Sequence, residues 1–227
     1  ADPCGGRPMQ AREGMRRPMT IVETKRTRMR ETIRDAAIRE FARNGLSGTS
    51  TQAIADAAGI SKAQLHYYIS SKEDLYQEVL GHILAEWREI FLLSSNRDDP
   101  RTAIRTYIQR KIQQALDHPE ISRLFAREMA RGAPEMAKHW PGLRAAVDEA
   151  AEVIRGWIAE GKIAPVDPLL FQINIWAVAQ HYADYEMQAR MLMGTGPDAP
   201  LDAARISEEA IQLFLLRCGL SDTERAS

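Results

Sequence analysis

The 227-residue chain has only two cysteines, Cys4 and Cys218, one near each end, so neither a disulfide framework nor a thiolate metal site is expected. No uninterrupted apolar run approaches the roughly 18 to 20 residues that a membrane helix needs, and no apolar stretch with a cleavage site stands near the start. No segment keeps the strict alternation of a half-buried strand. The five histidines are scattered, and the chain has no His-Glu-x-x-His, no phosphate-binding glycine loop and no Gly-x-Ser-x-Gly. These gaps argue against a membrane protein, a secreted scaffold and the commoner hydrolases. They leave the expectation of a cytoplasmic all-α protein with no metal, no cofactor and no catalytic residues. His181 beside Asp184 resembles a catalytic pair on paper, but a structural hydrogen bond within a helix is the better account of it.

The composition, 44% hydrophobic and 27% charged, is that of a globular protein with enough length for one large or two modest cores. Net charge is −1, and this average conceals an asymmetry. Residues 1–75 carry thirteen Lys or Arg against nine Asp or Glu, and the remainder seventeen against twenty-two. A basic head on an acidic body suits a protein that meets phosphates at one end only.

Helical spacing and helix stop signals divide the chain into about nine helices. Residues 1–24, rich in Gly, Pro, Arg and Met, read as a disordered extension, and 221–227 as a C-terminal tail. A first helix from about Thr27 stops at Asn44-Gly45. Thr49 or Ser50 caps a second helix, Thr51 to Ala58. Gly59 makes the turn, and Ser61-Lys62-Ala63-Gln64 is a capping box, so a third helix begins at Lys62. Ser70-Ser71 caps a fourth, running from Lys72 through Trp87. Helices opening at Asp98-Asp99-Pro100, Pro119 and Pro141 follow. After the turn at 164–168 comes one helix of about 25 residues, ending near Met193, and a last helix spans about Leu201 to Cys218. The expected units are a head, 25–71, and a helical body, 72–220.

Two short helices crossing at Gly59, with Thr51, Gln52, Lys62, Gln64, His66, Tyr67 and Lys72 outside, form a helix-turn-helix pattern. Thr49 to Leu75, with its Ile-Ala-x-x-Ala-Gly-Ile-Ser core, Tyr67 and Ser-Lys-Glu-x-Leu, resembles the TetR family of bacterial repressors. It departs from that pattern at His66, often Tyr in the family, and at Ile69, usually Phe. The body resembles one branch of the family, the repressors of pyrimidine utilisation. The matching runs are Ser122-Arg123-Leu124-Phe125, Glu128-Met129, Gly132-Ala133-Pro134, Gly161-Lys162-Ile163-Ala164-Pro165, Ile175-Trp176-Ala177 and Gln180-His181-Tyr182-Ala183-Asp184.

The resemblance implies a homodimer that reads a palindromic operator in double-stranded DNA. Lys62, Gln64 and His66 would then lie at base edges and Thr51, Tyr67 and Lys72 at phosphates. It also implies a small-molecule effector held in the body, a pyrimidine such as uracil or thymine. Trp176, Gln180 and Asp184 share one line of a helix, and Gln180 offers both the donor and the acceptor that an imide edge requires. Trp87, Tyr107, Lys111, Phe125 and Glu128 are candidates for the facing wall. Two stripes are expected to join the dimer: Phe171, Ile175, Val178, Tyr182 and Tyr185, then Ala203, Ile206, Ala210, Leu213 and Phe214. The alternatives are a regulator answering to an unrelated molecule, such as a cation or a lipid, and an enzyme acting on a pyrimidine.

Overall fold

The computed structural model describes residues 21–91, 98–196 and 199–220. The expected extension, Ile21 to Thr24 apart, and the expected C-terminal tail lie outside these residues. Ten α-helices occupy the described residues: α1 Ile21–Gly48, α2 Thr51–Ala57, α3 Lys62–Tyr68, α4 Lys72–Phe91, α5 Pro100–Asp117, α6 Pro119–Ala130, α7 Trp140–Ala159, α8 Pro168–Asp184, α9 Glu186–Met193 and α10 Ala203–Arg217. No strand occurs among them.

The helix boundaries follow from local chemistry. At Gly45 (φ 70°, ψ 174°) the regular turn of α1 ends, in a conformation that only glycine adopts at little cost. The Ser50 hydroxyl accepts from Ala53 N at 3.0 Å, so Ser50 rather than Thr49 caps α2. Thr49 is buried instead, its hydroxyl donating to the Gly45 carbonyl at 2.8 Å. The capping box on α3 is formed as expected, with Gln64 N donating to Ser61 Oγ and Ser61 N to Gln64 Oε1. Asp99, Asp167 and Asp202 cap α5, α8 and α10, and a proline follows the first two immediately.

Two departures from the expected helices stand out. The first helix begins earlier, at Ile21. The 25-residue helix is broken at Tyr185 (φ −114°, ψ 33°) into α8 and α9. Arg123 of α6 stands at that break, its Nε donating to the Ala183 carbonyl at 3.1 Å and its Nη2 to Glu186 at 2.7 Å. The break is thus held from another helix, and no glycine or proline announces it.

The three N-terminal helices enclose a small core of Ile33, Ala37, Phe41, Ile54 and Leu65, which Leu75 and Tyr76 of α4 join to the body. In the body α5 is the central helix, with Ile104, Ile108 and Ile112 fully buried against α4, α6, α8 and α10. Helix α4 therefore belongs to both halves: its first turn closes the head and its last turns line the body.

Candidate DNA interface and ligand cavity

The head places four of the six expected DNA-facing side chains on one exposed helix. Lys62, Gln64, His66 and Tyr67 all project from α3, and Tyr67 is 74% exposed with its ring edge-on to Tyr68. Thr51 opens α2, half-buried. Two of the six side chains are more committed than the sequence indicates. The Gln64 carbonyl already accepts the Ser61 N–H, so its amide group is what faces outward. Lys72 Nζ donates to the carbonyls of Leu46 (2.8 Å) and Thr49 (3.0 Å), which leaves at most one of its three donors for a phosphate. The structure makes Lys72 first a clamp between α4 and the loop before α2.

The body contains a cavity of about 210 Å³. Trp87 of α4 and Phe125 of α6 form one corner, their rings edge-on at 4.8 Å. Trp176 and Gln180, one turn apart on α8, supply the facing wall. Lys111 of α5 enters between them with Nζ 4.0 Å from the Trp87 ring centroid. Burial pushes this amine down to about 7. Gln114 and Ser122 add neutral polar groups, and Trp140, at the start of α7, completes the aromatic lining. The site is mostly apolar with a few convergent polar atoms, the usual make-up of a small-molecule pocket.

Five of the seven expected cavity residues thus meet: Trp87, Lys111, Phe125, Trp176 and Gln180. Two do not line it. Tyr107 is buried behind Trp176, its hydroxyl accepting from the indole Nε1 at 2.6 Å; burial raises the tyrosine pKa well above its usual value. Glu128 is wholly buried and faces α4: its carboxylate accepts from Tyr76 Oη (2.9 Å), Glu135 N (2.8 Å) and Arg131 (3.4 Å). A buried carboxylate needs several donors at once, and here they come from α4 and the chain turn after α6, not from a ligand. Sequence reasoning missed Gln114, Ser122, Met129, Trp140 and Leu143. For Gln114 the signal was present, since it lies three residues beyond Lys111 on the same helix face.

Asp184 continues the line of Trp176 and Gln180, but past the cavity. Burial raises its carboxyl pKa, and the Gln180 amide, Arg123 and His181 offset part of that rise. His181 stacks on Tyr185 at 5.2 Å.

Of the ten residues in the expected dimer stripes five are turned inward, while Tyr185 and Leu213 stay exposed and Val178 and Leu213 line the groove between the two helices. Phe171, Ile175, Ile206, Ala210 and Phe214 are buried within the protomer, with Phe171 and Phe214 edge-on at 5.5 Å. Both α8 and α10 must first pack on α5, and that takes their inward stripe. The apolar groups left outside are Leu169, Leu170, Ile173 and Tyr185, with Leu213 and Leu216 on α10. A shallow groove of about 540 Å³ runs between the two helices beside Leu170, Asn174, Ala177 and Leu213. No helix among the described residues is long and apolar enough to cross a membrane.

The comparisons with known proteins agree with this architecture. Residues 33–79 match the family model described as bacterial regulatory proteins, tetR family. Residues 80–221 match the model described as the C-terminal region of YcdC-like proteins. The HTH-type transcriptional regulator RutR of Escherichia coli K12 is 42% identical over 168 residues, 73% of this chain and 78% of its own. Among solved structures, the putative transcriptional regulator SCO4942 of Streptomyces coelicolor superposes with a TM-score of 0.67 at 22% identity, over 84% of this chain and 98% of its own. AibR, solved with isovaleryl coenzyme A and operator DNA, gives 0.62 at 21% identity, over 82% and 97%. With a reading head that matches the family model and a body that matches a family C-terminal region over most of its length, this chain belongs to the TetR family of transcriptional regulators.

Proposed function

We propose that the protein is a homodimeric, ligand-released repressor. Its α3 helices would enter successive major grooves of a palindromic operator, and its effector, a pyrimidine such as uracil or thymine, would occupy the cavity between α4, α5, α6 and α8. A reader of chromosomal DNA of this kind works in the cytoplasm. One observation carries the reading: α4 lines the cavity through Trp87 and clamps the head through Lys72. Whatever fills the cavity therefore acts on the helix that positions the reader. Trp87 and Trp176 offer flat faces to a planar ring, and Gln180 a carboxamide to its edge. The pyrimidine is supported by the resemblance of the body to RutR. For release, the ligand must bind more tightly to the form that DNA does not select; equal affinity for both would shift nothing.

The test is thermal unfolding together with operator gel shifts, with uracil, thymine and unrelated metabolites. A ligand at 100 times its Kd adds about 2.7 kcal/mol of stability. The expected result is a pyrimidine-specific rise in Tm, release of operator at the same concentrations, and loss of both in Gln180→Ala. Stabilisation by an unrelated metabolite alone would leave the regulator standing and remove the pyrimidine.

A further inference from the structure

We infer that the protein has a second ligand site, for a phosphate-type oxyanion, in the groove between α4 and the start of α7. This groove encloses about 250 Å³. Its polar wall is made by Arg88 of α4 with Lys138 and His139 of the turn before α7; Leu84, Leu143 and Ala146 make most of the rest apolar. No aspartate or glutamate lines it. Three basic side chains gathered on one concavity repel one another until an anion lies between them, and Arg and Lys both form charge-assisted hydrogen bonds with phosphate oxygens. Arg88 and Lys138 are exposed, and neither has a carboxylate partner among the described residues. Arg88 stands sixteen residues beyond Lys72 on α4, roughly 24 Å along the helix, so these charges lie away from the DNA-reading face.

His139 is the best positioned of the three. Its ring rests on Gly81 of α4, where an added Cβ would meet ring Cε1 at 3.4 Å. Its Nε2 lies 3.0 Å from Gln77 Oε1, and the Gln77 amide is itself committed, donating to the carbonyl (3.1 Å) and the carboxylate (2.7 Å) of Glu135. Gln77 Oε1 can only accept, so Nε2 carries the proton of the neutral ring. The other nitrogen, Nδ1, becomes a donor when the ring takes a second proton. Burial and the neighbouring Lys138 oppose that step and hold the His139 pKa below its usual value; an anion in the groove favours it. The charges facing His139 are Arg88 from α4, Lys138 beside it and, through Gln77, Glu135. Other charges on the adjoining helices are paired elsewhere: Glu78 with Arg30, Glu86 with His82, Glu128 with Arg131 and Arg144 with Asp148.

Two sources supply the oxyanion. One is a free anion. The other is the phosphate of a nucleotide whose base fills the effector cavity, because Leu143 lines both spaces, and Arg88 and His139 in the groove directly adjoin Trp87 and Trp140 of the cavity wall. Only the second source rests on the cavity being the effector site. From either source the anion ties α4 to the start of α7.

The experiment follows the His139 ring by NMR in the full chain, its signal assigned by its loss in His139→Gln, while sodium sulfate replaces sodium chloride at constant ionic strength. Sulfate stands in for the oxyanion because its charge does not change over the titration. Calorimetry then compares uracil, uridine and uridine monophosphate. Sulfate should move the His139 midpoint upward by about one pH unit, and the effect should vanish in a double variant, Arg88→Gln with Lys138→Gln, whose melt without ligand shows it folded. Uridine monophosphate binding at least tenfold tighter than uridine, with the gain lost in the double variant, identifies the nucleotide source. A sulfate effect with no such gain identifies the free anion. No sulfate-specific change at His139 and no gain from the phosphate overturn the inference, as does an effect that persists in the double variant. Failure of uracil to bind a protein that still shifts operator DNA overturns the pyrimidine reading, and the sulfate result then decides the oxyanion site by itself.

Discussion

In the folded chain the Lys111 amine titrates at about 7, whereas in the unfolded chain it keeps its usual 10.5. Between those values the unfolded state holds the extra proton, so stability rises with pH across that window, by up to about 1.4 kcal/mol per pH unit. Lys111→Met removes the term. The variant melts higher than wild type at pH 7, and the gap closes as pH approaches 10; a gap that stays constant over that range would show the amine to be hydrated in the native state. At this scale the cavity was partly legible. Trp176 and Gln180 announce one face by their spacing, and Trp87 and Lys111 stand out as an aromatic and a cation on otherwise apolar faces. Glu128 and Tyr107 were misplaced because a side chain's partner depends on which helix lies opposite, and residue spacing carries no such information.

Helix ends were the most legible elements, because a cap or a stop is decided within four residues. Gly45 is the clearest case. Its φ of 70° strains any other residue, and an added Cβ would meet the Arg127 side chain only at ordinary contact distance, 3.5 Å. Gly45→Ala should therefore cost about 1 to 2 kcal/mol through backbone strain alone, lowering Tm by several degrees in calorimetry. A neutral outcome would place the α1 stop elsewhere. The break at Tyr185 was not legible, since Arg123 holds it from sixty residues away. The phase of α8 and α10 was legible only in part for a related reason: each has two apolar faces, and their sequences do not say which one α5 takes.

For the whole molecule, the leucines outside α8 and α10 make a patch that a lone protomer leaves in water. Leu213 is 59% exposed, so Leu213→Asp should leave the protomer fold intact while placing an unpaired carboxylate in the proposed seam between two copies. Sedimentation velocity should then find a monomer with a near-normal Tm and much weakened operator binding. A Leu213→Asp dimer would move the seam to another face. The clamp at Lys72 and the indole at Trp87 stand fifteen residues apart on one unbroken helix, a separation of roughly 22 Å. Such a rod acts as a lever: each degree of tilt about Trp87 carries the clamp sideways by about 0.4 Å. A rotation of about five degrees moves one head by roughly 2 Å, and a pair by roughly 4 Å, against half-sites spaced about 34 Å apart on DNA. If the proposed effector binds beside Trp87, it would therefore not need to reshape the reader, because sub-ångström repacking there would be multiplied by helix length into a mismatch with the pitch of the double helix.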